Sequence, residues 1–131
     1  MVFQKERMFT EGEIDFMKVL WDFGEATPEE IQKALHKQGR ALTHGTIRNV
    51  LVVMIEKGYV TRRKKGKVYL YKAKIDKDQA QKKMAQNLLV SAFNGSESLM
   101  MGALLKNRDI REEELDEIEF LIAEWKKKKK Q

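Results

Sequence analysis

Between Arg40 and Lys74 a helix-start residue, a helical apolar stripe and a basic, β-rich ribbon follow one another without a gap. Thr43 is suited to cap a helix in which Ile47, Val50, Leu51 and Met54 recur at i, i+3, i+4 and i+7, the spacing of one buried face. Gly58 ends that helix. Two β-rich runs follow, Tyr59 to Arg63 and Lys67 to Lys72, joined by Lys64-Lys65-Gly66, with Gly66 suited to a turn position of positive φ. The stretch holds ten bases against one acid, Glu56. A helix followed at once by a basic two-stranded ribbon predicts a winged helix-turn-helix. In that fold one element enters the DNA major groove while the other grips the phosphates.

The residues upstream supply the rest of such a fold. Thr10-Glu11-Gly12-Glu13 reads as a capping box, and the helix it opens carries Ile14, Met17, Leu20 and Trp21 on one face before Gly24. Thr27-Pro28-Glu29-Glu30 is a second box, with proline at the first helical position, where its missing N–H costs nothing. Ile31, Ala34 and Leu35 form its stripe and Gly39 closes it. In the hairpin, Val60, Val68 and Leu70 are expected on the core face, with the tyrosines and bases largely on the other.

Downstream of Ile75-Asp76 the pattern is helical to the end. A long helix carries Ala80, Met84, Leu88, Leu89, Ala92 and Phe93, and Asn94-Gly95-Ser96 breaks it. Ser96 can cap a short helix to Lys106, and Asp109 with Glu112 can cap a last helix bearing Leu115, Ile118, Ile122 and Trp125. The expected division is a DNA-binding domain over 1–75 and a helical dimerisation region over 76–131. About 55 residues in three helices bury too little surface to stand alone. Their stripes need a partner, and the simplest is a second copy of the chain. Charge divides in the same way: residues 1–75 carry 15 Lys and Arg against 9 Asp and Glu, and residues 76–131 carry 11 against 11. Five of those 11 bases are Lys126 to Lys130, and a basic head on an otherwise acidic helical segment suits a polyanion binder with a separate interaction element.

The first turns of the third helix should read base edges, which selects Thr43, His44, Gly45, Thr46, Arg48 and Asn49. Arg48 has the fork for guanine and Asn49 the amide for adenine, while Gly45 would let the backbone approach DNA. Arg62, Arg63, Lys64, Lys65 and Lys67 form the expected phosphate clamp, with Arg40 beside them. Met84, Leu88, Leu89, Phe93, Leu115, Ile118, Ile122 and Trp125 are the expected dimer interface. Tyr69 and Tyr71 share a side of their strand and suit stacking or packing, and the seven methionines suit gap-filling. Lys126 to Lys130 place cations where a helix C-terminus favours them.

Other function classes find little footing. His36 and His44 have no metal-ligand spacing, no nucleophile elbow or phosphate-cradling loop occurs, and zero cysteines exclude disulfides and thiolate chemistry. No enzyme activity and no cofactor are expected. Lacking a signal-peptide core or a long apolar run, the chain is expected in the cytoplasm, away from membranes. Two alternatives to a sequence-specific repressor stay open: a winged-helix module that binds an acidic protein, and an architectural DNA binder without base preference.

Several segments together carry a family resemblance. Thr46-Ile47-Arg48-Asn49-Val50-Leu51, then Glu56-Lys57-Gly58-Tyr59-Val60, then Gly66-Lys67-Val68-Tyr69-Leu70-Tyr71 resemble the penicillinase-repressor (BlaI/MecI) family. So do the opening Glu13-Ile14-Asp15-Phe16-Met17-Lys18-Val19-Leu20-Trp21, the Phe93-Asn94-Gly95-Ser96 break and Glu112-Glu113-Glu114-Leu115. The resemblance covers roughly Thr10 to Trp125. It implies a homodimeric repressor: mainly α with a small β-hairpin, its winged helix on an operator half-site and its C-terminal helices intertwined with the partner's. It also implies a regulatory protease as partner, which in that family cuts an Asn-Phe bond in the short C-terminal helix. Ala103-Leu104 occupies that position here, so the family's scissile bond is absent. Copper-responsive relatives use a cysteine cluster that this chain does not have.

Overall fold

A computed structural model describes residues 9–106 and 109–131. Along the chain run α1 (Glu11–Phe23), α2 (Pro28–Lys37), α3 (His44–Glu56), β1 (Val60–Lys65), β2 (Val68–Ala73), α4 (Lys77–Phe93), α5 (Glu97–Lys106) and α6 (Glu112–Lys129). Three helices followed by a two-stranded antiparallel hairpin make the winged helix-turn-helix that the sequence predicts. The contacts divide the chain into two compact units, the first ending at Leu88 and the second beginning at Leu89.

Local chemistry starts each helix of the first unit. Both capping boxes form, with Thr10 and Thr27 accepting from the N3 amides while Glu13 and Glu30 accept from the cap amides. Thr43 caps α3 by accepting from the Thr46 amide at 3.2 Å. After α1 the chain turns at Gly24 with φ 82°, a left-handed conformation that glycine takes without a Cβ clash.

Phe16, Met17 and Leu20 of α1, Ile31 and Leu35 of α2, and Ile47, Leu51 and Met54 of α3 are fully buried, each contributing about 1.5–3 kcal/mol. Ala80 joins this core and Met84 packs against it, so the start of α4 belongs to the first unit. Trp21 is half-buried there and donates its indole N–H to the Ile75 carbonyl at 2.9 Å. Among the described residues of this unit, Glu13 is the buried charge. One of its oxygens accepts from the Thr10 amide, and the other accepts from Lys57 Nζ at 2.8 Å, tying the start of α1 to the end of α3.

The hairpin corrects one expectation. Its register pairs Val60 with Ala73, Arg62 with Tyr71 and Lys65 with Val68, leaving Gly66-Lys67 as a two-residue turn. Gly66 has φ 65° and Lys67 does not have positive φ, which fits a turn with glycine at its first central position. Paired residues share a face. An even-numbered residue of β1 therefore faces the core together with odd-numbered residues of β2. Val60 and Tyr71 are buried, whereas Val68 is exposed and Leu70 lies on the outer face, not in the core. Ala26 adds a further rung. It exchanges two backbone hydrogen bonds with Tyr71, 3.0 and 2.8 Å, which fastens the wing to the α1–α2 connection.

In the second unit, Asn94 and Gly95 both take positive φ (50° and 80°) and end α4; Ser96 then caps α5 through the Leu99 amide. Asp109 does not cap α6. Arg111 holds the N-cap position without a side-chain cap bond and instead reaches Glu114. Neither α5 nor α6 has a buried residue. Between them lies a cavity of about 830 Å³ lined by Met101, Leu104, Leu105, Ile118, Ile122 and Trp125, among others.

Candidate nucleic-acid interface

The expected reading residues come together on one surface. Thr43, His44, Gly45, Thr46, Arg48 and Asn49 are all exposed in the cap and first two turns of α3. They lie away from the side that buries Ile47, Leu51 and Met54. Thr43 is already engaged, accepting from the Thr46 amide and donating to Thr46 Oγ1 at 3.1 Å, so its hydroxyl is chiefly structural. The Arg48 side chain makes no hydrogen bond or ion pair with another described residue, which leaves its five donors available for a ligand.

Gly45 has ordinary helical φ, and the nearest neighbour of an added Cβ would be Thr43 Oγ1 at 4.0 Å. The protein alone therefore does not require glycine there. Gly45→Ala is expected to stabilise the fold by about 0.5–1 kcal/mol, because alanine loses less backbone entropy in a helix. If Gly45 admits the DNA backbone, the same substitution lowers DNA affinity. Thermal melts and fluorescence anisotropy on one preparation would then move in opposite directions; a rise in both would remove Gly45 from the interface.

The wing bases fall into two groups. Arg62 stacks over the Tyr69 ring, 4.1 Å from guanidinium carbon to centroid, and its Nη1 donates to Tyr71 Oη at 3.4 Å. Arg63 makes a two-pronged ion pair with Glu25, 2.8 and 3.0 Å, on the outer face of the hairpin. The hydrogen bonds from Arg63 hold the Glu25 carboxyl below its ordinary range, with Lys72 and Lys65 adding to the effect. The pair thus persists at neutral pH and is lost only as pH falls through that lowered value. Lys64, Lys65 and Lys67 are exposed around the tip and make no hydrogen bond or ion pair with another described side chain. Arg40 is engaged as well, donating to Asp15 at 2.7 Å and to the Gly12 carbonyl at 3.4 Å.

This grouping has a measurable consequence. Lys64→Ala and Lys65→Ala should each weaken binding to all duplexes alike and flatten the salt dependence by about one unit of slope. Arg63→Ala should alter the slope less, since Glu25 already neutralises it. Anisotropy titrations between about 50 and 200 mM salt check this, and an equal flattening from Arg63→Ala would contradict the grouping.

Of the expected dimer residues, Met84 is taken up by the core of the first unit and Leu89 is buried. Phe93 and Ile118 are half-buried, while Leu88, Leu115, Ile122 and Trp125 are exposed. Phe120 and Leu121, which the sequence reading passed over, are exposed beside them. Val52 and Val53 were passed over too. They fall outside the buried stripe of α3, and their place one turn beyond Arg48 and Asn49 is the signal that would have found them. Among the described residues no group of three or more His, Asp or Glu is placed to hold a metal.

A family model described as penicillinase repressor matches residues 9–124. The penicillinase repressor of Bacillus licheniformis is 27% identical over 128 residues, covering 98% of this chain and 99% of that protein. The methicillin resistance regulatory protein MecI of Staphylococcus aureus is 20% identical over 111 residues, 85% of this chain and 89% of its own. Among solved structures, the reduced form of MarR from E. coli aligns with a TM-score of 0.50 over 88% of this chain and 76% of that one. At 18% identity this is a likeness of fold alone.

Proposed function

The chain belongs to the penicillinase repressor family, and from that membership and its surfaces we infer how it works as a DNA-binding repressor. We propose a cytoplasmic homodimer on a palindromic operator. In each protomer α3 lies in the major groove of one half-site, and the lysine tip of the wing holds the flanking phosphates. Arg48 and Asn49 select bases. Lys64, Lys65 and Lys67 supply affinity without selecting sequence.

The observation that carries the dimer is the state of α5 and α6, which bury no residue of their own. Leu104, Leu105, Leu121, Ile122 and Trp125 all stand open around one cavity, a contiguous apolar surface of the kind that marks a partner site. A second copy of the chain offers the same surface in return, as two-fold symmetry requires.

Hydroxyl-radical footprinting tests this reading. Two symmetric protected half-sites, their centres about 10 bp or a multiple apart, are expected from a two-fold dimer. A single protected half-site, or protection spread evenly along the duplex, would contradict it. Even protection is what an architectural binder would give.

A further inference from the structure

Beyond its first two turns, the solvent face of α3 carries two adjacent aliphatic side chains. Val52 is 48% exposed and Val53 41%. They stand at i+4 from Arg48 and Asn49, so at about 100° per residue they extend the row begun by Gly45, Arg48 and Asn49. Scattered single aliphatic residues at a surface need no explanation. A pair on one helix face is different, because β-branched valine is a poor helix former and both side chains leave apolar area in water. Among the described residues both side chains stay largely open to solvent. Val53 borders a shallow groove shared with Asn49, Thr10, Gly12 and Arg40.

We propose that Val52 and Val53 are specificity-determining residues that contact the C5 methyl groups of thymines in each operator half-site. The inference rests on α3 being the base-reading helix. Four features favour DNA as the occupant. The valines continue the row of Arg48 and Asn49, so a duplex that meets those two side chains also meets the third turn. The only aliphatic group on a base edge in the major groove is the thymine methyl. The wing brings Lys64, Lys65 and Lys67, which suit a polyanion and not an apolar protein face. Glu56, one turn beyond Val52, sets the limit: its carboxylate repels phosphate, so the helix leaves the DNA there. The half-site should therefore place an A·T pair, with thymine on the strand nearer Val52 and Val53, adjacent to the pair read by Arg48.

The test replaces each thymine of a selected operator by deoxyuridine, which removes the methyl and leaves every hydrogen bond unchanged. At one or two positions per half-site, affinity for the wild-type protein is expected to fall about threefold to fivefold, the worth of one buried methyl. Val52→Ala or Val53→Ala protein should bind the same operator more weakly and show no further loss at those positions, the signature of a direct contact in a double-mutant cycle. Both positions are exposed, so the variants should melt no lower than wild type. Specific operator binding that is indifferent to every deoxyuridine would overturn the proposal and leave the reading role of α3 intact. A deoxyuridine loss that persists undiminished in both variants would also overturn it. If no duplex is bound specifically, both the proposal and the role of α3 fail.

Discussion

Ile122→Glu combined with Trp125→Glu is expected to yield a monomer whose operator affinity is lower by about 10²-fold or more. Both side chains are exposed in the single chain, 52% and 59%, and both line the cavity between α5 and α6. In an unpartnered protein such substitutions would be nearly silent. In a dimer they place carboxylates in an apolar contact, where truncating one well-packed aromatic anchor alone can cost about 2 kcal/mol or more. The DNA consequence follows from linkage between half-sites. With the first protomer bound, the second meets its half-site at an effective concentration of about millimolar, and the monomer loses that advantage. Sedimentation equilibrium reads the assembly and anisotropy reads the affinity. A variant that stays dimeric and binds its operator as before would remove the C-terminal helices from the interface.

Arg48→Ala should act in a different way. A well-placed arginine on a guanine discriminates by about 1–3 kcal/mol, and a symmetric dimer uses it twice, giving about 2–6 kcal/mol on the operator. That corresponds to about 30-fold to 10⁴-fold weaker operator binding. Random duplex should be affected far less, by one lost cation per protomer. Operator and random DNA measured at the same salt separate the two effects. An equal loss on both would make Arg48 a phosphate contact and move base reading elsewhere on α3.

The fold could be read from the sequence wherever its causes are local. Thr10, Thr27 and Thr43 cap helices through amides three residues away, and Gly24 and Gly58 end helices by adopting positive φ. The buried stripe of α3 followed from spacing alone: Ile47, Leu51 and Met54 are fully buried, and Val50 is partly so. What escaped depends on pairing across distance. The hairpin faces turn on a register in which Val60 meets Ala73, and a shift of one residue reverses every side chain of β2, so Val68 and Leu70 were misplaced and Tyr71 was not seen as core. The Ala26–Tyr71 rung joins residues 45 positions apart and leaves no periodic trace.

The interface follows the same rule. The placement of Arg48, Asn49 and the lysines was legible because α3 and the wing are successive elements. Charge counting alone could not separate the bases that are paired from those that are not. Arg40 finds Asp15 at 25 residues' separation and Arg63 finds Glu25 at 38. Val52 and Val53 fall outside the i, i+3, i+4, i+7 spacing of the α3 stripe, and spacing alone gives them no role.

The central claim is sequence-specific reading by a two-fold dimer. Its most direct test is selection of a bound sequence from random duplex, followed by anisotropy of the purified protein on that sequence and on unselected DNA at about 150 mM salt. Enrichment of a palindrome, bound by two chains and at least about 10³-fold tighter than unselected duplex, is the expected result. Weak binding without a preferred sequence, disappearing as salt rises, would contradict it.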